Sequence, residues 1–178
     1  MPKTTPEIKV KSVRSLGGEV ILYGDNYDEA SKRAEEIAKE KELMIIPPYD
    51  DPYVVAGQGT VGMEILQQSK KDIDAIFVPV GGGGLIAGIA VYFKSLSPGT
   101  KIIGVEPLEA PSMSIALKKG MPVTLEKVGI FADGAAVKRV GDLTFELTEK
   151  YVDEMLCVSN DEICAAIKDI YEDTRSIS

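Results

Sequence analysis

The chain has 178 residues, enough to bury a sizeable core, and its 28 acidic residues against 20 basic ones give a formal charge of −8. With no Lys/Arg block longer than pairs such as Lys70-Lys71 and Lys118-Lys119, binding to a nucleic-acid backbone is disfavoured. Histidine is absent, which removes imidazole general bases, serine–histidine triads and the common zinc sites, so proton chemistry must draw on lysine, carboxylates, a hydroxyl or a cofactor.

Thr5, Pro6 and Glu7 make a helix start: a hydroxyl able to cap free N–H groups, a proline pre-set for the first turn, and a carboxylate suited to the helix dipole. The helix is expected to run to about residue 16 and to stop at Gly17-Gly18. Residues 19–23 read as a short strand. Asp25-Asn26 then open a helix with Ala30, Ala34, Ile37 and Ala38 on one face and Glu35 with Lys39 as an i,i+4 pair on the other. Residues 43–46 read as another strand, and this alternation predicts parallel pairing. The run Pro47-Pro48-Tyr49-Asp50-Asp51-Pro52 fits neither a helix interior nor a central ladder. A lobe boundary is placed there, with residues 1–50 in a smaller lobe and 51–178 in a larger one.

Asp51-Pro52 can start a helix through Gly57, Gly59 and Gly62 to Leu66, and glycines so dense in a helix predict a neighbour packed closely on that face. Next comes a βαβ unit of buried, unalternating strands: strand 75–80, a four-glycine turn, helix 85–96, the turn Ser97-Pro98-Gly99 and strand 101–105. A short helix over 113–118, a longer one over 140–151, a strand over 155–158 and a last helix opened by Asn160-Asp161-Glu162 and running from Ile163 complete the chain. Cys157 and Cys164, each in an apolar setting, read as buried reduced thiols. The longest apolar stretch, 85–93, is far short of the roughly 20 residues a membrane span needs, and no charged-then-apolar signal pattern follows Met1. The expectation is a soluble intracellular protein of α/β class, a mostly parallel sheet with helices on both faces and the ligand at the carboxyl ends of the strands.

Gly81-Gly82-Gly83-Gly84-Leu85 lies between a strand and a helix that begins at once, so consecutive backbone N–H groups can turn inward with no Cβ in the way. Such a nest takes an anion, usually a phosphate. The spacing is not GxGxxG, since Leu85 and Ile86 follow, and no Lys-Ser/Thr completes a P-loop, which argues against dinucleotide and nucleoside-triphosphate sites.

The run Pro79-Val80-Gly81-Gly82-Gly83-Gly84-Leu85-Ile86-Ala87-Gly88 resembles the phosphate-binding loop of the threonine dehydratase branch of fold-type II pyridoxal-phosphate enzymes, the tryptophan synthase β-like fold. Met1-Pro2-Lys3-Thr4-Thr5-Pro6, Gly17-Gly18-Glu19-Val20, Pro47-Pro48-Tyr49-Asp50, Gly57-Gln58-Gly59-Thr60, Gly104-Val105-Glu106 and Phe131-Ala132-Asp133-Gly134 are similar to that family in the same order. The pattern over 131–138, with Gly141-Asp142 and Thr144-Phe145 after it, is closer to the biosynthetic, isoleucine-pathway enzymes than to serine racemases.

The resemblance implies pyridoxal 5′-phosphate as cofactor, with the amides of Gly81, Gly82, Gly83, Gly84 and Leu85 on its 5′-phosphate and the loop around Ala132-Asp133-Gly134 near its ring. It also implies loss of the α-proton and β-hydroxyl from an amino-acid substrate, L-threonine or else L-serine, to give in the first case 2-oxobutanoate and ammonia. The full-length form is expected to be a homo-oligomer in the cytoplasm or, in a eukaryote with a transit peptide, in a plastid or mitochondrion.

The family's Ser-Phe-Lys-Leu-Arg-Gly-Ala-like segment with the cofactor-bearing lysine has no counterpart in these 178 residues. Nor do its Ser-Ser-Gly-Asn-His-Ala-like segment, the strand facing the pyridine nitrogen or the isoleucine-binding regulatory domain. The chain is therefore expected to be an internal fragment, inactive alone. No catalytic residue is assigned, and Lys3, Lys9 and Lys11 stand outside the lysine motif. Two alternatives stay open, a non-catalytic interaction module derived from the enzyme and a fragment of a serine dehydratase or racemase. Some relatives hold a divalent cation through a Glu at the place of Glu106 and an Asp six residues on; Ser112 stands there instead, so no metal site is expected and Glu106 reads as a solvated strand-end residue.

Overall fold

The computed structural model describes residues 1–176; Ile177 and Ser178, which the sequence reading puts at the end of the larger lobe, lie outside the described residues. The chain divides into two compact units, Met1–Ile46 and Pro47–Ser178.

The first unit holds helices α1 (Glu7–Ser15) and α2 (Tyr27–Glu40). Pro6, not Thr5, is the N-cap of α1, and no side chain caps that end. The helix stops as expected, because Gly17 takes φ +83° and the N–H groups of Gly17 and Gly18 return to the carbonyls of Arg14 and Val13, both at 3.0 Å. In α2 the Asn26 side chain accepts from the Glu29 N–H at 3.0 Å while the Glu29 carboxylate reaches back to the Asp25 N–H at 2.9 Å. Its ion pairs run from Arg33 to Glu36 and Glu40 rather than between Glu35 and Lys39.

Neither 19–23 nor 43–46 forms a strand. The Met1 ammonium donates to the Ile21 carbonyl and the Tyr23 N–H to the Met1 carbonyl, both at 2.8 Å, but isolated bonds of this kind do not make a ladder. Their apolar side chains are only partly covered among the described residues, Met44 being 90% exposed.

The second unit is an α/β layer structure: α3 (Pro52–Gln68), β1 (Ala75–Pro79), α4 (Gly84–Leu96), β2 (Lys101–Pro107), α5 (Ser112–Lys119), α6 (Asp142–Tyr151), β3 (Glu154–Val158) and α7 (Asn160–Thr174). The three strands are parallel in the order β1-β2-β3, with Val78 beside Gly104 and Gly104 beside Met155. Because α4 carries no charge before Lys94, it is apolar all round and is buried, and Ile86, Ile89, Ala90 and Phe93 form the core with Val78 and Ile102. β2 is buried as expected, but β1 is not. It is an end strand of the sheet, and Phe77 is 62% exposed.

Two further expectations change. Ser159, one residue before the expected start, is the N-cap of α7 and forms a reciprocal capping box with Glu162. Cys157 and Cys164 are exposed rather than buried, since β3 is the other end strand and α7 has no buried residue among those described. Among the described residues no helix is long and apolar enough to cross a membrane.

The glycine density of α3 has a partner. A Cβ on Gly59 would lie 3.3 Å from the Gly88 carbonyl oxygen, and one on Gly88 would lie 2.5 Å from both the Gly59 nitrogen and the Val55 oxygen. The α3–α4 crossing is thus backbone against backbone. Gly88→Ala is expected to lower the free energy of unfolding by about 2 kcal/mol, since rigid main chain cannot give way. The measurement is the urea midpoint at unchanged m-value, and a wild-type midpoint would refute the close-crossing account.

Candidate functional site

The glycine turn lies at the carboxyl end of β1. The Val80 N–H donates to the Val105 carbonyl at 2.9 Å, and the first bond of α4 runs from the Ala87 N–H to the Gly83 carbonyl at 3.0 Å. The N–H groups of Gly84, Leu85 and Ile86 therefore have no acceptor within the helix, and no side chain caps them. They form the positive end of a 13-residue helix dipole.

The two neighbouring helices differ in this respect. The Glu106 carboxylate accepts from the N–H groups of Met113 at 2.7 Å and Ser114 at 2.8 Å, closing the start of α5. The Asp50 carboxylate accepts from Asp142 and Leu143 at 3.0 Å and Thr144 at 3.2 Å, closing the start of α6. A carboxylate, fully buried for Glu106 and half-buried for Asp50, answers the free donors at both ends, whereas α4 opens its donors toward the turn.

Two positions of the turn, Gly82 and Gly83, admit only glycine, and Gly81 and Gly84 are tightly walled. A Cβ on Gly82 would enter the ring of Tyr49, and one on Gly83 would lie 2.7 Å from the Met113 methyl and 2.8 Å from the Thr144 hydroxyl. Gly83 also adopts φ +96°, a conformation that favours glycine. Gly81 abuts the 3₁₀ turn Asp133–Ala135, its Cβ position falling 3.2 Å from the Gly134 oxygen. The Tyr49 hydroxyl donates to the Arg139 carbonyl at 3.0 Å, and the Thr144 hydroxyl donates to the Gly82 carbonyl at 2.7 Å. The result is a cradle of backbone amides without side chains in it, which fits a phosphate in shape and in charge.

Glu106 is fully buried, not solvated as its strand-end position suggests. Burial pushes its carboxyl above the ordinary range, opposed by hydrogen bonds from the Ser114 hydroxyl and from the N–H groups of Met113 and Ser114. The Ser112 hydroxyl is committed to the Val137 carbonyl. The sequence reading meets Asp50 and Thr144 only as members of motifs; their contacts with the helix start and the glycine turn escape it, because the partners lie 92 and 62 residues away.

The family profile described as pyridoxal-phosphate dependent enzyme matches residues 1–177. The chain is 55% identical over 178 residues to the biosynthetic L-threonine dehydratase IlvA of Pasteurella multocida, a match covering 100% of this chain and 34% of that protein. The processed form of threonine deaminase isoform 2 from Solanum lycopersicum is similar at a TM-score of 0.95 and 54% identity, over 99% of this chain and 48% of that one. Maize serine racemase is similar at a TM-score of 0.91 and 33% identity, over 96% of this chain and 51% of that one. The chain thus spans about a third of the length of the curated relatives it matches.

Proposed function

The chain belongs to the family of pyridoxal-phosphate dependent enzymes, and from that premise we propose that its glycine turn grips the 5′-phosphate of the cofactor in the deamination of L-threonine to 2-oxobutanoate and ammonia. The observation that carries the reading is the amide cradle: uncapped N–H groups at the start of α4, ringed by positions where only glycine fits. The amides of Gly81, Gly82, Gly83, Gly84 and Leu85 would hold the phosphate, and the turn beside Gly81 would lie near the ring. Bound there, the cofactor supplies an electron sink for the charge left at the substrate α-carbon.

Within this proposal the larger unit, Pro47–Ser178, contributes the phosphate grip, and no residue of the chain is assigned to the proton transfers. Threonine is favoured over serine because identity is 55% to a threonine dehydratase against 33% to a serine racemase. The setting proposed is a soluble homo-oligomer in an intracellular compartment.

The first test is equilibrium titration of the purified chain with pyridoxal 5′-phosphate, pyridoxal and inorganic phosphate. Binding of the phosphorylated compound at least about tenfold tighter than pyridoxal is expected, because each tenfold reflects about 1.4 kcal/mol and several hydrogen bonds from backbone amides are lost with the phosphate. Equal affinities would remove the grip from the turn.

A further inference from the structure

We propose that Thr144 is a positioning residue for the cradle: its hydroxyl holds the Gly82–Gly83 peptide in the orientation that presents the Gly83 N–H to the phosphate, and Asp50 holds Thr144 in place. The inference rests on the reading of the glycine turn given above and deepens it by naming what keeps the turn in shape.

A run of four glycines resists rotation of its peptide planes less than any other sequence, so its amides converge only if something outside the run anchors it. The Gly82 carbonyl is that anchor point. It accepts the Thr144 hydroxyl at 2.7 Å and the Gly141 N–H at 3.3 Å. The peptide that follows is trans, and in a trans peptide the N–H points opposite to the C=O. Fixing the Gly82 carbonyl toward the start of α6 therefore turns the Gly83 N–H away from α6.

Thr144 suits this task and little else. It is completely buried, and its single hydroxyl proton goes to Gly82 at 2.7 Å in preference to the Gly141 carbonyl of its own helix turn at 3.3 Å. The backbone beneath it is set by Asp50, whose Oδ1 accepts from the N–H groups of both Leu143 and Thr144. Gly141 lets the carboxylate approach, since a Cβ there would collide with Asp50. Asp50 directly follows Tyr49, whose ring covers Gly82, so one dipeptide supplies both the wall of the turn and the support of its anchor.

The experiment compares Thr144→Val, Thr144→Ser and Asp50→Asn for affinity to pyridoxal 5′-phosphate and to pyridoxal, alongside the melting temperature. Thr144→Val is expected to weaken the phosphorylated ligand about tenfold, the equivalent of one charge-assisted hydrogen bond, and to leave pyridoxal within about twofold. Thr144→Ser, which keeps the hydroxyl, is expected to restore selectivity to within about threefold of wild type. Equal weakening of both ligands, or a lower melting temperature with unchanged selectivity, would reduce Thr144 to a purely structural role. If Thr144→Val does not fold, Asp50→Asn decides: a selective loss of about threefold supports the anchor, and unchanged selectivity overturns it. A wild-type chain that does not distinguish the two ligands would overturn the phosphate reading itself, an outcome separate from a selective wild type with an indifferent Thr144 variant.

Discussion

Gly82→Ala is expected to abolish phosphate-selective binding, with at least a hundredfold loss of affinity for pyridoxal 5′-phosphate, and to destabilise the fold by about 1–3 kcal/mol. The new methyl would occupy the space of the Tyr49 ring. That ring cannot simply swing aside, because its hydroxyl is bonded to the Arg139 carbonyl at 3.0 Å and its own backbone packs on Gly84, whose Cβ position lies 3.2 Å from the Tyr49 Cα. The turn must move instead, and its amides move with it. The double variant Gly82→Ala/Tyr49→Ala separates sterics from any intrinsic need for glycine: removal of the ring is expected to return a measurable part of the lost affinity. Titration with the two ligands and a urea melt read both effects, and wild-type selectivity in Gly82→Ala would show that the cradle lies elsewhere.

The largest stability effect is expected at Glu106. Glu106→Ala leaves the Met113 and Ser114 N–H groups buried without their acceptor, and each such donor costs about 1–3 kcal/mol, about 2–6 kcal/mol in all. Against a total stability of about 5–15 kcal/mol, this change is enough to unfold much of the population near the melting range. The charge on the group adds a pH dependence whose sign follows from its raised native value. A carboxyl that titrates higher in the native state than when unfolded holds its proton more tightly when folded. The stabilisation linked to it is fully present below the ordinary value of 4.5 and is lost as pH rises through the native value. Glu106→Gln has no proton to lose, so its stability is expected to vary less with pH above 4.5 than that of wild type. It should also lie below wild type in acid, because its amide NH₂ must face one of the two N–H donors. Chemical denaturation at several pH values tests this, and parallel curves for wild type and Glu106→Gln would contradict the burial effect.

The glycine turn and its backbone character are legible in the sequence. Four consecutive glycines between an apolar strand and an apolar helix say by themselves that backbone, not side chain, meets whatever sits there, because only glycine leaves the amides uncovered. The βαβ unit was legible for the same reason: periodicity and turn residues are local, and 75–107 carry them without interruption. The small differences of one or two residues at element ends have local causes: Gly84 opens α4 with no side-chain cap, whereas the Ser159 side chain captures the Glu162 N–H at the start of α7.

The sequence by itself determined the class of fold, the position of the glycine turn and the lack of a histidine among these 178 residues, since each depends on residue type and near-neighbour spacing. Only the tertiary structure decided which segments with strand-like composition become strands, because 19–23 and 43–46 need a ladder partner that composition cannot reveal. It likewise decided the burial of Glu106, the exposure of Cys157 and Cys164, and the convergence of Asp50, Thr144 and Gly82, residues separated by as much as 94 positions. The physical reason is common to all of these. A carboxylate at a strand end is solvated or buried according to whether a helix start lands on it, and that landing is set by packing between elements, which leaves no mark on the spacing of residues along the chain.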